Sequence, residues 1–454
     1  MNLDSIYSGK KIMVLGLAKS GYAVSNLLDK LDAKLVIIDS NDLEGNIEAN
    51  KLIERGFEVH TGTNNPDLID SSFDYLVKNP GIKYTNSIVE RALSLDIPVI
   101  TEPEVAYSCS DATMVGVTGS NGKTTVTTLI RDMLAKSSKF KKSYYAGNIG
   151  IPISDVVEKA TQDDVIVTEL SSFQLEGTIN LHPHVAVLNN IYSAHLDFHG
   201  NRDNYVKAKM NITKNQTEED YFIVNWNDSE WQNLSKISKA KVIPFSNNSV
   251  LENGAYDKDS SIYWKSEKVL DENSIKVPGE HNVQNILAAV TVAKLFNVQN
   301  DDIVRVVEEF KGVKHRIQFV DEIDNVRYYN DSKATNIEAT TVALQSFKQP
   351  INLIAGGLDR GNGFDELVPQ LNNVVSIYLY GETKSKMKVA AEQAGIKNIF
   401  VLDTLPEAVK LAKDNSEKGS VVLLSPAAAS WDQFDTFEQR GDLFIKEVEK
   451  LRGE

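Results

Sequence analysis

Residues 118–125 read Thr-Gly-Ser-Asn-Gly-Lys-Thr-Thr, between an apolar stretch (113–117) and a helical one (126–135). Glycines let successive backbone N–H groups curl toward one anion. The N-terminus of the following helix adds its positive end. Lys123 suits the outer phosphates and the Thr124 hydroxyl suits Mg²⁺, which points to ATP or GTP. The usual Walker pattern asks for a glycine where Val117 stands, so the loop is a shorter form. A Gly-rich turn with a chance Lys-Thr is the alternative, and the strand–loop–helix setting argues against it.

Further polar clusters follow apolar runs, where parallel strands would present them on one sheet edge. One run ends Glu169-Leu170-Ser171-Ser172-Phe173-Gln174-Leu175-Glu176. A strand-end carboxylate downstream of a phosphate loop is where a Mg²⁺ ligand belongs. The next run ends in Asn189-Asn190, followed by His195-x-Asp197. Tyr205 and Lys209 sit four apart on a helical stretch, where a lysine head is ordinarily solvated. Gly279-Glu280-His281-Asn282-x-x-Asn285 opens another helix with Asn282 and Asn285 on one face. An amide there offers a donor and an acceptor, as an adenine edge requires.

The last third brings His315-Arg316, Asn330-Asp331-Ser332-Lys333-Ala334-Thr335-Asn336, Gly356-Gly357-Leu358-Asp359-Arg360 and a segment from Ser425 to Phe434. Arg316, Lys333 and Arg360 are cations able to face an anionic reaction centre. Near the N-terminus, Gly16-Leu17-Ala18-Lys19-Ser20-Gly21 joins a strand to a helix, and Asp39 ends the next strand. Ala18 replaces the middle glycine of a dinucleotide fingerprint, so a nucleotide other than NAD is expected at this edge. The loop Asn79-Pro80-Gly81 lies on the same edge, within reach of a diphosphate. Read singly, each cluster has a bland alternative: helix cap, tight turn, satisfied histidine or surface cation.

The elements that must position these residues alternate between short apolar runs and longer amphipathic stretches, the rhythm of βαβ units. Strands are expected at 12–15, 35–39, 75–78, 99–101, 114–117, 165–170, 185–189, 221–225, 241–245, 351–355, 376–380, 399–402 and 421–425. The polar stretch 246–273 reads as hairpins and loops, and 282–296 as an amphipathic helix. Boundaries near 106 and 313 give an α/β protein of three domains. They are a Rossmann-like N-terminal domain (1–105), a central P-loop ATPase-like domain (106–312) and a Rossmann-like C-terminal domain (313–454).

A chain of 454 residues exceeds one core. Its net charge of −15 argues against non-specific nucleic-acid binding, which relies on a basic surface. The single cysteine, Cys109, excludes an intrachain disulfide and reads as a buried, inert thiol. The first apolar run (12–17) is too short for a signal peptide, and no run is long enough to span a membrane. A cytoplasmic monomer is expected, with neither membrane nor nucleic acid as partner.

In motif order, over essentially its whole length, the chain resembles the Mur ligases of peptidoglycan synthesis. The loop 118–125 is similar to that family's ATP loop. The segments 169–175, 330–336 and 425–434 resemble its D-glutamate-adding branch. The Asp-Asn-Pro-Arg motif of the diaminopimelate-adding branch does not occur. The resemblance implies an ATP-dependent acid–amino-acid ligase that joins D-glutamate to UDP-MurNAc-L-Ala through an acyl phosphate. It implies Lys19, Ser20, Asp39 and Ser40 around the uridine, and Asn79, Gly81, Asn148 and His195 near the diphosphate or substrate. Gly119, Asn121, Gly122, Lys123, Thr124 and Thr125 would form the ATP loop, with Thr124 on one Mg²⁺. Glu169, His195 and a carbamylated Lys209 would serve a second. Asn282 and Asn285 would face adenine, Arg316 the γ-phosphate and Asp331 the ribose. Lys333, Thr335, Arg360, Ser430 and Phe437 would surround D-glutamate.

That chemistry is physically coherent, because a carboxylate becomes a good acyl donor only once phosphate can leave it, and cations and Mg²⁺ stabilise the transferring phosphoryl group. Catalysis would then rest on Lys123, His195, Lys209, Arg316 and Lys333. Two other readings stay open. A folylpolyglutamate synthase shares the chemistry but would lack the N-terminal nucleotide sheet. A non-catalytic nucleotide-binding switch would not need Lys209, Arg316 and Lys333.

Overall fold

Three α/β sheets account for the chain in a computed structural model that describes residues 6–192 and 194–453. The first five residues of the expected N-terminal domain and the final Glu454 lie outside the described residues. Sheet one holds β1 (Lys11–Leu15), β2 (Lys34–Ile38), β3 (Glu58–His60), β4 (Tyr75–Lys78) and β5 (Val99–Ile100). Its order is β3-β2-β1-β4-β5 and every pairing is parallel. The order reverses between β1 and β4, which opens a crevice at their C-terminal ends. The Gly16 and Asn79 loops emerge there.

Sheet two holds β6 (Thr113–Thr118), β7 (Ser143–Gly147), β8 (Val165–Glu169), β9 (Val185–Leu188), β10 (Tyr221–Asn225), β11 (Lys241–Ser246), β12 (Ala255–Lys258), β13 (Ser261–Trp264) and β14 (Glu267–Asp271). Its order is β14-β13-β12-β11-β10-β9-β6-β8-β7. β6 lies between β8 and β9, so the phosphate loop, Glu169 and Asn189 leave neighbouring strand ends. The stretch read as hairpins is the antiparallel set β12–β14, with Tyr256 stacked on Tyr263 at 5.3 Å.

Sheet three holds β15 (Gln318–Ile323), β16 (Val326–Asn330), β17 (Ile351–Gly356), β18 (Val374–Tyr380), β19 (Asn398–Val401) and β20 (Val421–Leu424), in the order β15-β16-β20-β17-β18-β19. Adjacent β16, β20 and β17 are parallel, so the loops after Asn330, Leu424 and Gly356 share one edge.

Two compact units form: Met1–Asp271 with Gln284–Val306, and Glu272–Val283 with Val307–Glu454. In the first, one apolar core runs from Val14 and Ile37 through Val105 and Met114 to Leu170 and Phe222, joining sheets one and two. In the second, one core holding Leu353, Leu379 and Leu423 and another holding Ile354, Tyr378 and Phe444 carry opposite strand faces. Cys109 is buried, donates to the Val105 carbonyl at 3.1 Å, and is pushed up to about 11 by burial, which makes it inert.

Four strands lie outside the sequence expectation. β3 is a three-residue edge strand, and β7 reads Ser-Tyr-Tyr-Ala-Gly with no branched aliphatic residue. β15 and β16 form a hairpin turned by Asp324-Asn325, both at positive φ (52° and 64°), as a two-residue turn demands. Among the described residues no helix is long and apolar enough to cross a membrane.

Candidate active site

In the first unit the phosphate loop joins β6 to helix Lys123–Leu134, which opens without a side-chain cap. Such a terminus presents N–H groups to an anion. Gly122 has φ 79°, and a Cβ there would fall 2.2 Å from Asn285 Oδ1 and 2.4 Å from Asn189 Nδ2. The positive φ favours glycine, and any larger residue would also have to displace both amides. The loop is stapled to the end of β9. Asn121 N–H donates to Asn190 Oδ1 at 2.8 Å, and Ser120 N–H to the Asn190 carbonyl at 3.0 Å. Asn189 Nδ2 donates to the Asn121 carbonyl at 3.1 Å and to Asn285 Oδ1 at 2.8 Å. The Ser120 hydroxyl meets Tyr205 OH at 2.7 Å.

Lys123 Nζ donates to the carbonyls of Gly119 and Ser120, both at 2.9 Å. Lys209, on helix Arg202–Met210, is not a solvated surface lysine. It is 2% exposed, donates to the Gly119 carbonyl at 2.8 Å, and its ammonium nitrogen stands 4.6 Å from the Tyr205 ring centre. Burial, then the charge of Lys123, brings it down to about 6. His195 takes φ 55° to start the short helix Leu196–His199 and sets its ring 5.0 Å from Phe173. Burial and the charges of Lys209 and Lys123 lower its pKa, which favours the neutral imidazole.

Glu169, at the end of β8, is buried. Its Oε1 accepts from Asn148 Nδ2 at 2.7 Å, while Oε2 is buried with no hydrogen-bond partner among the described residues. A buried carboxylate oxygen left unpaired is costly unless a cation meets it. Among the described residues no three His, Cys, Asp or Glu side chains form a metal cage. The one unpaired Glu169 oxygen suits Mg²⁺, which is commonly held by one or two carboxylates together with substrate phosphates.

At the edge of sheet one, the Asp39 oxygens accept from Leu17 N–H at 2.7 Å, Asn41 N–H at 2.8 Å and Asn41 Nδ2 at 3.0 Å. Asn79 Nδ2 donates to Ser20 Oγ at 3.1 Å and its Oδ1 accepts from Gly81 N–H at 3.1 Å. Lys19 is exposed and donates to the Gly150 carbonyl, and Ser40 is exposed. Lys78, passed over in the sequence, is buried and donates to the Ile82 carbonyl at 2.9 Å, bracing the Asn79-Pro80-Gly81 loop.

In the second unit Asp331 is 4% exposed, accepting from Ser425 Oγ at 2.8 Å and Ile317 N–H at 3.2 Å. Burial raises its carboxyl to about 7. Lys333 is exposed with its ammonium nitrogen 5.4 Å from the Phe437 ring centre, and the Arg360 guanidinium lies 4.8 Å from that of Trp431. Arg316 is exposed, Thr335 half-buried and Ser430 buried. Asn282 Nδ2 donates to the Pro278 carbonyl at 2.7 Å.

Three α/β domains, the central one bearing a loop of phosphate-binding form, define a nucleotide-binding architecture. The family "Mur ligase MurD-like, N-terminal domain" matches residues 10–101, "Mur ligase middle domain" matches 117–293, and "Mur ligase, glutamate ligase domain" matches 315–428. The chain belongs to the Mur ligase family. A relative from Latilactobacillus sakei, UDP-N-acetylmuramoylalanine--D-glutamate ligase, is 52% identical over 99% of this chain and 100% of its own length. A protein of the same name from Listeria innocua is 48% identical over 99% of each. Among solved structures, UDP-N-acetylmuramate-alanine ligase from Thermotoga maritima aligns with a TM-score of 0.55 and 17% identity, covering 97% of this chain and 99% of that one. An Acinetobacter baumannii ligase named for D-alanyl-D-alanyl addition gives 0.56 and 18%, covering 96% and 93%. These structures support the fold.

Proposed function

We propose that this protein is the ATP-dependent ligase that adds D-glutamate to UDP-N-acetylmuramoyl-L-alanine, in the cytoplasm and as a monomer. The carrying observation is identity of about half over the full length of relatives bearing that activity as their name. The proposed boundaries are 1–105 for the UDP-substrate domain, 106–312 for the ATP domain and 313–454 for the amino-acid domain.

In this reading the substrate carboxylate oxygen attacks the γ-phosphorus of ATP and ADP leaves. The D-glutamate amine then attacks the acyl carbon, phosphate departs, and the amine proton passes to a base. Gly119, Asn121, Gly122, Lys123, Thr124 and Thr125 cradle the triphosphate. Asn282 and Asn285 face adenine, Asp331 the ribose, and Arg316 the γ-phosphate. Lys19, Ser20, Asp39 and Ser40 hold the uridine, with Asn79, Gly81 and Asn148 toward the diphosphate. Lys333, Thr335, Arg360, Ser430 and Phe437 hold D-glutamate.

Thr124 would hold one Mg²⁺, and Glu169, His195 and Lys209 a second. Bound Mg²⁺ supplies charge neutralisation at the phosphoryl oxygens. The unpaired Glu169 oxygen supports that assignment. An ammonium would repel the ion, whereas a Lys209 carbamate would offer it an oxygen, and the depressed amine is prepared to take up CO₂. Mass spectrometry of the nucleotide product after incubation with ATP, Mg²⁺, UDP-MurNAc-L-Ala and D-glutamate tests the proposal: gain of one glutamyl residue is expected, and an unchanged nucleotide would refute it.

A further inference from the structure

We propose that Arg440 is a positioning residue for the amino-acid pocket, locking together the three strand-end loops that carry Lys333, Arg360 and Ser430. Arg440 sits in helix Phe437–Lys450 and is 0% exposed. Its Nε donates to Ser332 Oγ at 3.0 Å and its Nη2 to the Ser332 carbonyl at 2.8 Å. Its Nη1 donates to the Ala428 carbonyl at 3.1 Å and reaches the Gly356 carbonyl at 3.5 Å. One guanidinium thus joins the loops after β16, β20 and β17.

The surroundings are built around that fork. A Cβ on Gly357 would fall 2.1 Å from the Ala429 carbonyl and 3.2 Å from Arg440 Nη1, so glycine permits the approach. Ser332 Oγ also donates to the Phe437 carbonyl at 2.7 Å, closing the network on the first turn of the helix. Lys333 follows Ser332 directly, Ser430 lies two beyond Ala428, and Arg360 lies three beyond Gly357.

Arg440 is also a buried cation paired with no carboxylate among the described residues, since its acceptors are one hydroxyl and three carbonyls. Asp331 senses its charge without forming an ion pair. Burying a charge in this way is expensive, and an apolar side chain of similar volume would fill the space at lower cost. What an apolar residue would not supply is a rigid five-donor fork and a positive field beneath the pocket. Both favour an amino acid with a second anionic group. This inference rests on the proposed amino-acid-adding activity.

The test compares wild type, Arg440→Met, Arg440→Lys and Ser332→Ala, reading kcat, the KM of each of the three substrates and thermal stability. Wild type is first assayed across amino acids; failure on D-glutamate would refute the proposed function, and the Arg440 comparison would proceed with whichever amino acid is used. Arg440→Met is expected to raise the amino-acid KM by about ten-fold or more, leaving those of ATP and the nucleotide within about two-fold. It should also narrow the preference for D-glutamate over D-glutamine. Arg440→Lys keeps the charge without the fork and should fall between. Should Arg440→Met not fold, Arg440→Lys and Ser332→Ala carry the test by the same KM signature. Unchanged amino-acid KM in the folded variants, or three KM values shifting together with activity tracking the folded fraction, would overturn the proposal.

Discussion

Lys209 donates to the Gly119 carbonyl at 2.8 Å, the same oxygen that accepts from Lys123 at 2.9 Å. Two lysines on one oxygen of the phosphate loop cannot both be comfortable as cations. Lys209, the deeper one, is brought from the ordinary 10.5 to about 6. Between those values the unfolded chain holds a proton there that the folded chain lacks, so this site's contribution to stability rises with pH through the window and is least favourable below about 6. Lys209→Met should therefore melt higher than ligand-free wild type near neutral pH, with a difference that shrinks as pH rises, while losing activity. Thermal scans across pH check this; a Lys209→Met variant that melts lower throughout would contradict it.

Carbamylation predicts more. Activity at constant pH should fall in CO₂-depleted buffer and return with bicarbonate. Lys209→Ala should lose about a hundred-fold or more, with partial recovery in acetate, which offers a carboxylate to the vacated position. Indifference to bicarbonate, together with an unmodified Lys209 in active enzyme, would rule the carbamate out.

Lys123→Ala should abolish turnover with the circular dichroism spectrum unchanged, since its proposed role is charge on a phosphate. Normal phosphate release by this variant would remove the loop from the mechanism.

Asn189 links the loop carbonyl of Asn121 to Asn285. Asn189→Ala removes both bonds, worth about 0.5–1.5 kcal/mol each. The ATP KM is expected to rise about ten-fold, with the D-glutamate KM little changed. Isothermal titration with a non-hydrolysable ATP analogue measures the effect directly.

Arg360→Ala removes a charge and a stacking partner for Trp431. It should raise the D-glutamate KM by about ten- to hundred-fold and leave that of ATP alone. Steady-state kinetics with each substrate varied in turn separates the two.

The three-sheet fold was legible because parallel strands buried on both faces write continuous apolar runs such as Val165–Val167 and Val421–Leu424. The loops after Gly356 and Leu424 could be expected on one edge because parallel strands end together. β3 escaped because an edge strand of Glu-Val-His buries little. β15 and β16 escaped because an antiparallel pair breaks the βαβ rhythm. The burial of Lys209 was not legible, since a lysine four after a tyrosine on a helix looks the same whether solvated or enclosed. Arg440 is the sharpest case: in sequence it is one more charge on an amphipathic helix, and only the packing of that helix turns it inward. Asn189 and Asn190 were visible as a strand end, yet their bonds to the phosphate loop depend on β6 and β9 being neighbours.

Phosphate release from ATP, followed as UDP-MurNAc-L-Ala and D-glutamate are each omitted and restored, is the decisive measurement for the proposed ligase. Release is expected only when both are present with Mg²⁺, and no comparable release when L-alanine, L-lysine or diaminopimelate replaces D-glutamate. Release that ignores the nucleotide substrate, or that prefers another amino acid, would contradict it.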